Sequence, residues 1–174
     1  MSYFEDSSPY HAVPHRQVTG RLSRVGAGRV VRLSAAYTDG VQKSPCQLTS
    51  QAAEFLRERH LATLTTVRAD GSAHVVPVGF TWDADTQAAR VITSLGSVKV
   101  SLARRDGAQV VLCQVDGRRW LTLAGTPLVT DDPDRVADAV ARYAQRYRPP
   151  RVNPSRVAIE ITVTRVTGSK GMTC

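Results

Sequence analysis

The sequence is poor in aromatic residues: Phe, Trp and Tyr make up 6% of its 174 residues. Any core must therefore rest on Val, Leu, Ile and Ala, and a hydrophobic content of 42% suffices for one. No apolar run approaches the roughly 18–20 residues that span a bilayer, so no membrane-spanning helix is expected. The first residues include Glu5 and Asp6, with no apolar stretch after them. A secretory signal is thus not expected, and a cytoplasmic location is. Cysteine is also scarce, with three residues, Cys46, Cys113 and Cys174. Their odd number and the lack of a CxxC spacing argue against a disulfide framework and against a zinc site. Cys113 sits in an apolar run and reads as a small buried hydrophobe. His11 and His15 lie four apart without an accompanying Glu, so no metal site is expected there.

Acidic residues are the minority: 15 Asp and Glu face 23 Lys and Arg, a net charge of +8. Such a balance favours anionic partners. The candidates are nucleic acid and phosphate-bearing ligands, and the basic residues form no consecutive block and lack aromatic interleaving, which weakens the nucleic-acid reading.

Residues 1–46 differ from the rest. They mix Ser, Pro, Gly and His with five arginines between Arg16 and Arg32, and read as a disordered basic extension. Residues 47–170 carry the ordered pattern, and 171–174 read as a tail. Thr49 or Ser50 can cap a helix whose apolar face carries Ala53, Leu56 and Phe55. Leu61 to Val67 reads as a strand, Asp70-Gly71 as a hairpin turn, and His74 to Trp82 as a second strand. Ala89 to Ser94 is a third strand. Gly96 breaks it and Ser97 caps a short helix to Arg105. Gln109 to Val115 and Arg118 to Val129 flank a second Asp-Gly turn at Asp116-Gly117. Asp132-Pro133 opens a helix with Val136, Val140, Tyr143 and Tyr147 on one face. The last strand alternates Val157, Ile159, Ile161 and Val163 with polar neighbours. The expected fold is mainly β: a six-stranded antiparallel sheet curled into a split barrel, with flanking helices.

The segment Val91-Ile92-Thr93-Ser94-Leu95-Gly96-Ser97-Val98-Lys99 suggests chemistry. A strand ends in hydroxyls, a glycine turns the chain, and a helix begins beside a lysine. Free amides at a helix start, a serine hydroxyl and an ammonium together suit a phosphate. The same residues suit a capped helix with a solvated lysine, and from spacing alone the two readings stand level.

Several words along the chain carry a resemblance. They are Phe55-Leu56-x-Glu58-Arg59-His60-Leu61-Ala62, His74-Val75-Val76-x-Val78-Gly79-Phe80, Arg90-Val91-Ile92-Thr93 and Gly96-Ser97-x-Lys99. Further on come Gln114-Val115-Asp116-Gly117, Arg119-Trp120-Leu121 and Arg142-Tyr143-Ala144-Gln145-Arg146-Tyr147-Arg148. The run from Ala53 through Gly168 resembles the split-barrel flavin and deazaflavin oxidoreductases, the superfamily of pyridoxamine phosphate oxidase. Within it the likeness is to the branch using coenzyme F420, in particular the F420-dependent biliverdin reductase group.

The resemblance implies a homodimer with the cofactor at its interface. It makes Thr93, Ser94, Ser97 and Lys99 candidates for the cofactor phosphate. It makes Val76, Pro77, Val78 and Gly79 candidates for contacts along the ring system, and Trp120 a wall contributed by the partner subunit. Flavin-phosphate users often place several basic residues at the phosphate, whereas here Lys99 alone stands inside the motif. The cofactor expectation is therefore coenzyme F420, with flavin mononucleotide (FMN) as the alternative. The implied activity is a reductase passing hydride from the reduced deazaflavin to a conjugated, anionic, biliverdin-like substrate. An arginine-rich mouth would hold such a substrate, and Arg68, Arg118, Arg119, Arg146, Arg148 and Arg151 are its candidates. The other readings are an FMN-dependent oxidase or reductase and a non-catalytic cofactor or tetrapyrrole carrier.

Overall fold

The computed structural model describes residues 48–173; the expected disordered extension, residues 1–46, lies outside them. The elements run α1 (Ser50–Arg57), β1 (Ala62–Val67), β2 (Ala73–Val78), β3 (Thr81–Asp83), β4 (Ala88–Ser94), α2 (Val98–Ala103), β5 (Val110–Asp116), β6 (Arg119–Thr130), α3 (Pro133–Arg146) and β7 (Arg156–Gly168). All strand pairs are antiparallel, in the order β2-β1-β5-β6-β7-β4-β3.

Local chemistry explains most boundaries. The hairpins β1–β2 and β5–β6 turn at Gly71 and Gly117, whose φ of 82° and 59° only glycine adopts without strain. Thr49 caps α1, its side chain accepting from Ala52 N at 3.1 Å. Asp132 caps α3 by accepting from Arg135 N at 3.0 Å, with Pro133 in the first turn.

The sheet has seven strands where the sequence pattern suggested six. The run His74 to Trp82 divides, because its two halves pair with different neighbours. Val78 pairs with Ala62 of β1, whereas Thr81 pairs with Arg90 of β4. Between them, Phe80 bonds to side chains at the end of α3 and its C-cap instead of to a strand: its N–H donates to Tyr147 Oη at 3.2 Å, and its carbonyl accepts from Arg146 Nη1 at 2.6 Å. This break closes the barrel. β2 and β3 are the two edges of the sheet, yet only Gly79 and Phe80 separate them. Three residue steps reach at most about 11 Å, so the sheet must roll until its edges meet. The slit left between the edges is where the end of α3 packs.

The interior is aliphatic, as the composition requires. Leu64, Leu112, Leu121, Leu123, Ile159 and Ile161 are fully buried, and among the described residues Phe55 and Phe80 are the fully buried aromatics. β6 and β7 carry a register shift at Ala124/Gly125. A Cβ at Gly125 would lie 2.8 Å from the Thr162 carbonyl carbon, so the strands approach this closely only over a glycine. Cys113 is half-buried on the outer face of β5, not in the core. The expected tail packs back instead of trailing: Met172 is fully buried and Thr173 bridges Leu48. Among the described residues, no helix is long and apolar enough to cross a membrane.

Candidate functional site

The ends of β2 and β4 lie beside α2, α3 and the loop after α3, and together they enclose a cavity of about 650 Å³. One wall is Pro77, Val78 and Gly79, and a second is Ile92 and Thr93. Tyr143 of α3 adds an aromatic ring, packed so close to Gly79 that a Cβ there would lie 2.7 Å from it. Lys99 enters from α2, and Arg148, Arg151 and Arg156 from the loop and the start of β7. The lining thus holds four cationic side chains and no carboxylate. Burial pushes the Lys99 ammonium below its ordinary pKa. A bound anion would reverse that shift.

The arginine-bearing loop is held in place by Asn153. Its side chain donates to Ser94 Oγ at 2.8 Å, and its Oδ1 accepts from Ser155 N at 3.0 Å. Leu95 N also donates to Ser155 O at 2.8 Å. These bonds pin the loop to the strand end.

Of the residues singled out from the sequence, Pro77, Val78, Gly79, Thr93, Lys99, Arg148 and Arg151 meet in this cavity. Val76 packs on the core instead. Ser94 is engaged by Asn153, and Ser97 stands 3.2 Å from Thr93 Oγ1 instead of capping α2 with its side chain. Trp120 is 39% exposed at the start of β6, outside the cavity of its own chain.

The other arginines are engaged elsewhere. Arg68 donates to Ala73 O at 2.8 Å and lines a separate hollow beside Arg105. Arg118 sits in the exposed β5–β6 turn. Arg119 holds both carboxylate oxygens of Glu58, at 2.7 and 2.8 Å, and also bonds Asp116. Its hydrogen bonds, with that of His60, hold the Glu58 carboxyl down at about 2. Glu58, His60 and Asp116 could otherwise suit a metal, their ligand atoms lying within 4.8 Å of one another, but Arg119 already supplies the cation. Arg146 turns inward and bonds Glu58 O, Phe80 O and Gln114 Oε1.

Sequence reasoning missed Tyr143, Asn153 and Arg156 in this role. Tyr143 reads as part of an apolar helix stripe, and Arg156 stands just ahead of the last alternating strand. Only the Asn-Pro step at 153–154 carries a local signal, that of a turn.

Comparisons with known proteins show the family and the fold. The chain is 58% identical over 123 residues to the F420H2-dependent biliverdin reductase of Mycobacterium tuberculosis (strain CDC 1551 / Oshkosh), covering 71% of this chain and 89% of that protein. In structure it resembles a conserved hypothetical protein of Mycobacterium tuberculosis, with a TM-score of 0.59 at 19% identity over 74% of this chain and 88% of that one. It also resembles an F420 reductase, with a TM-score of 0.55 at 23% identity over 66% of this chain and 94% of that one. These two likenesses show the split-barrel fold. The family model for pyridoxamine 5'-phosphate oxidase matches residues 48–170, and the chain belongs to that family.

Proposed function

We propose that this protein is an F420H2-dependent reductase acting on a conjugated, anionic, biliverdin-like acceptor. The observation that carries the reading is the cavity: an apolar shelf of β2 faces a set of cations formed by Lys99, Arg148, Arg151 and Arg156. A flat ring system with an anionic tail needs both features, so the residues fit a phosphate-bearing deazaflavin. The relative with 58% identity bears the name of the same activity. The loop arginines also supply the basic residues that the Gly96–Lys99 motif lacks.

When bound, the reduced coenzyme supplies the hydride from its own ring. The chain orients and shields. Pro77, Val78 and Gly79 would offer the ring system its apolar surface. Thr93 and Lys99 would hold the phosphate, with Arg151 and Arg156 on hand for the remaining negative charge. Tyr143 covers Gly79 and keeps water from that side.

A second copy of the chain completes the site. The outer face of β1, β2, β5 and β6 exposes Val67, Val75, Val115 and Trp120, all on one side by register. Covering it would bury apolar surface and place Trp120 against the partner.

The test is to mix the full-length protein with reduced F420 and biliverdin and follow reoxidation of the coenzyme. Biliverdin-dependent reoxidation is expected. Failure with every acceptor in a panel would leave a carrier, and protein that purifies yellow with a flavin spectrum would point to FMN.

A further inference from the structure

We propose that a second, smaller cavity beside the first is the acceptor's acid-binding annex, with Arg59 as its specificity-determining residue; this rests on the reductase reading above. The annex, of about 320 Å³, is lined by Arg59, Leu61, Tyr143, Tyr147 and Arg148. Tyr143 and Arg148 line both cavities, so the two share a wall. A molecule in the annex is therefore a neighbour of whatever fills the larger space.

The annex is built to take a conjugated acid. Its floor is the Tyr143–Tyr147 pair, with ring centroids 4.7 Å apart and planes tilted by 32°. Both rings are fixed. Tyr147 Oη donates to His60 O at 2.7 Å, and Tyr143 packs against the Cβ-free face of Gly79. Leu61, 61% exposed, adds an apolar side. Two guanidiniums flank this floor, with no carboxylate in the lining. Some arginines outside the annex are neutralised by carboxylates: Arg119 by Glu58, Arg135 by Glu160 and Arg142 by Asp138. Among the described residues, Arg59 and Arg148 form no such pair. An aromatic floor between two unpaired guanidiniums matches a π-system bearing carboxylates. At about 320 Å³ the annex is at the small end of ligand pockets, so it takes the acid-bearing end of the acceptor. The conjugated part then reaches past Arg148 towards the coenzyme.

Equilibrium binding tests this without turnover. Full-length wild type and the variants Arg59→Gln and Arg59→Lys are titrated with biliverdin and with biliverdin dimethyl ester, followed by the bile pigment's visible absorption. The coenzyme is titrated separately. Losing one charge-assisted contact should weaken the diacid about tenfold in Arg59→Gln. The ester and F420 should bind as to wild type, and Arg59→Lys should recover most of the diacid affinity. An unchanged ratio of diacid to ester affinity in Arg59→Gln would overturn the assignment. So would an equal loss of F420 affinity, which would give the annex to the coenzyme. Failure of wild type to reoxidise reduced F420 with biliverdin would instead remove the reductase reading, while diacid against ester binding still judges the annex.

Discussion

Arg146 Nη2 donates to Gln114 Oε1 at 2.8 Å, joining the end of α3 to the middle of β5. Gln114 is 1% exposed and passes the connection on, its Nε2 donating to Phe55 O at 2.7 Å in α1. The same guanidinium bonds the carbonyls of Glu58 and Phe80. One side chain thus ties α3, α1, β5 and the break between the sheet's edges, and the helix so held carries Tyr143 to the cavity.

Arg146→Ala should therefore destabilise the protein by about 3 kcal/mol, because it leaves several partly buried acceptors unpaired at once. Urea denaturation checks this. Arg148→Ala, two residues on and exposed, should shift the midpoint little while weakening ligand binding. Equal losses of stability in the two variants would contradict the division between structural and ligand-facing arginines.

Glu58 gives an acid-sensitive element. Arg119's hydrogen bonds, then that of His60, lower its carboxyl from 4.5 to about 2. The folded-state value lies below the unfolded one, so the stabilisation is complete above about 4.5 and is lost as pH falls towards about 2. Other carboxylates, Asp70 and Asp83, shift the same way, so the comparison must be with a variant. The urea midpoint of Glu58→Gln should lie below that of wild type at neutral pH, and the gap should close in the acid range. A gap independent of pH would show that the Glu58–Arg119 pair does not provide this stabilisation.

Gly79 separates packing from ligand contact. A methyl there would meet Tyr143 Cε2 at 2.7 Å and Tyr147 Cε2 at 3.2 Å. Both rings are confined, so Gly79→Ala should cost about 1–3 kcal/mol and displace Tyr143 into the cavity. Thermal unfolding should show the first effect and a weaker affinity for F420 the second. The double variant Gly79→Ala with Tyr143→Leu should recover stability if the ring is the obstacle.

These relationships differ in how far the sequence discloses them. The hairpins were legible because Asp-Gly turns and alternating strands are local signals, and α3 because Asp132-Pro133 and a 3.6-residue stripe announce it. The division of His74 to Trp82 was not. Nothing in that run shows that Val78 and Thr81 pair at opposite edges of the sheet. Lys99 was visible within a recognisable turn. Arg156 was not, because its place in the cavity depends on β7 lying beside β4, a contact more than sixty residues distant in the chain. Arg146 and Arg148 look alike as sequence. One faces inward and the other out only because α3 ends between them and the chain leaves the helix at Tyr147.

Lys99 offers the sharpest test of the site. Its ammonium is partly desolvated, which pushes its pKa down, and the cavity provides cations without a carboxylate to offset the cost. An anionic ligand should bind the protonated form and raise that pKa, so binding should weaken as pH rises through the lysine's lowered free-state value. Lys99→Ala should reduce F420 affinity about tenfold or more, the worth of one charge-assisted contact, with stability unchanged or slightly raised. Removing a strained charge explains the second expectation. Lys99→Arg should keep much of the affinity and move the alkaline loss upward, since a guanidinium does not titrate in that range. Titrations by coenzyme fluorescence between neutral and alkaline pH would show both effects. Equal affinity in wild type and Lys99→Ala across that range would remove Lys99 from the phosphate and leave the loop arginines as the sole holders of the anion.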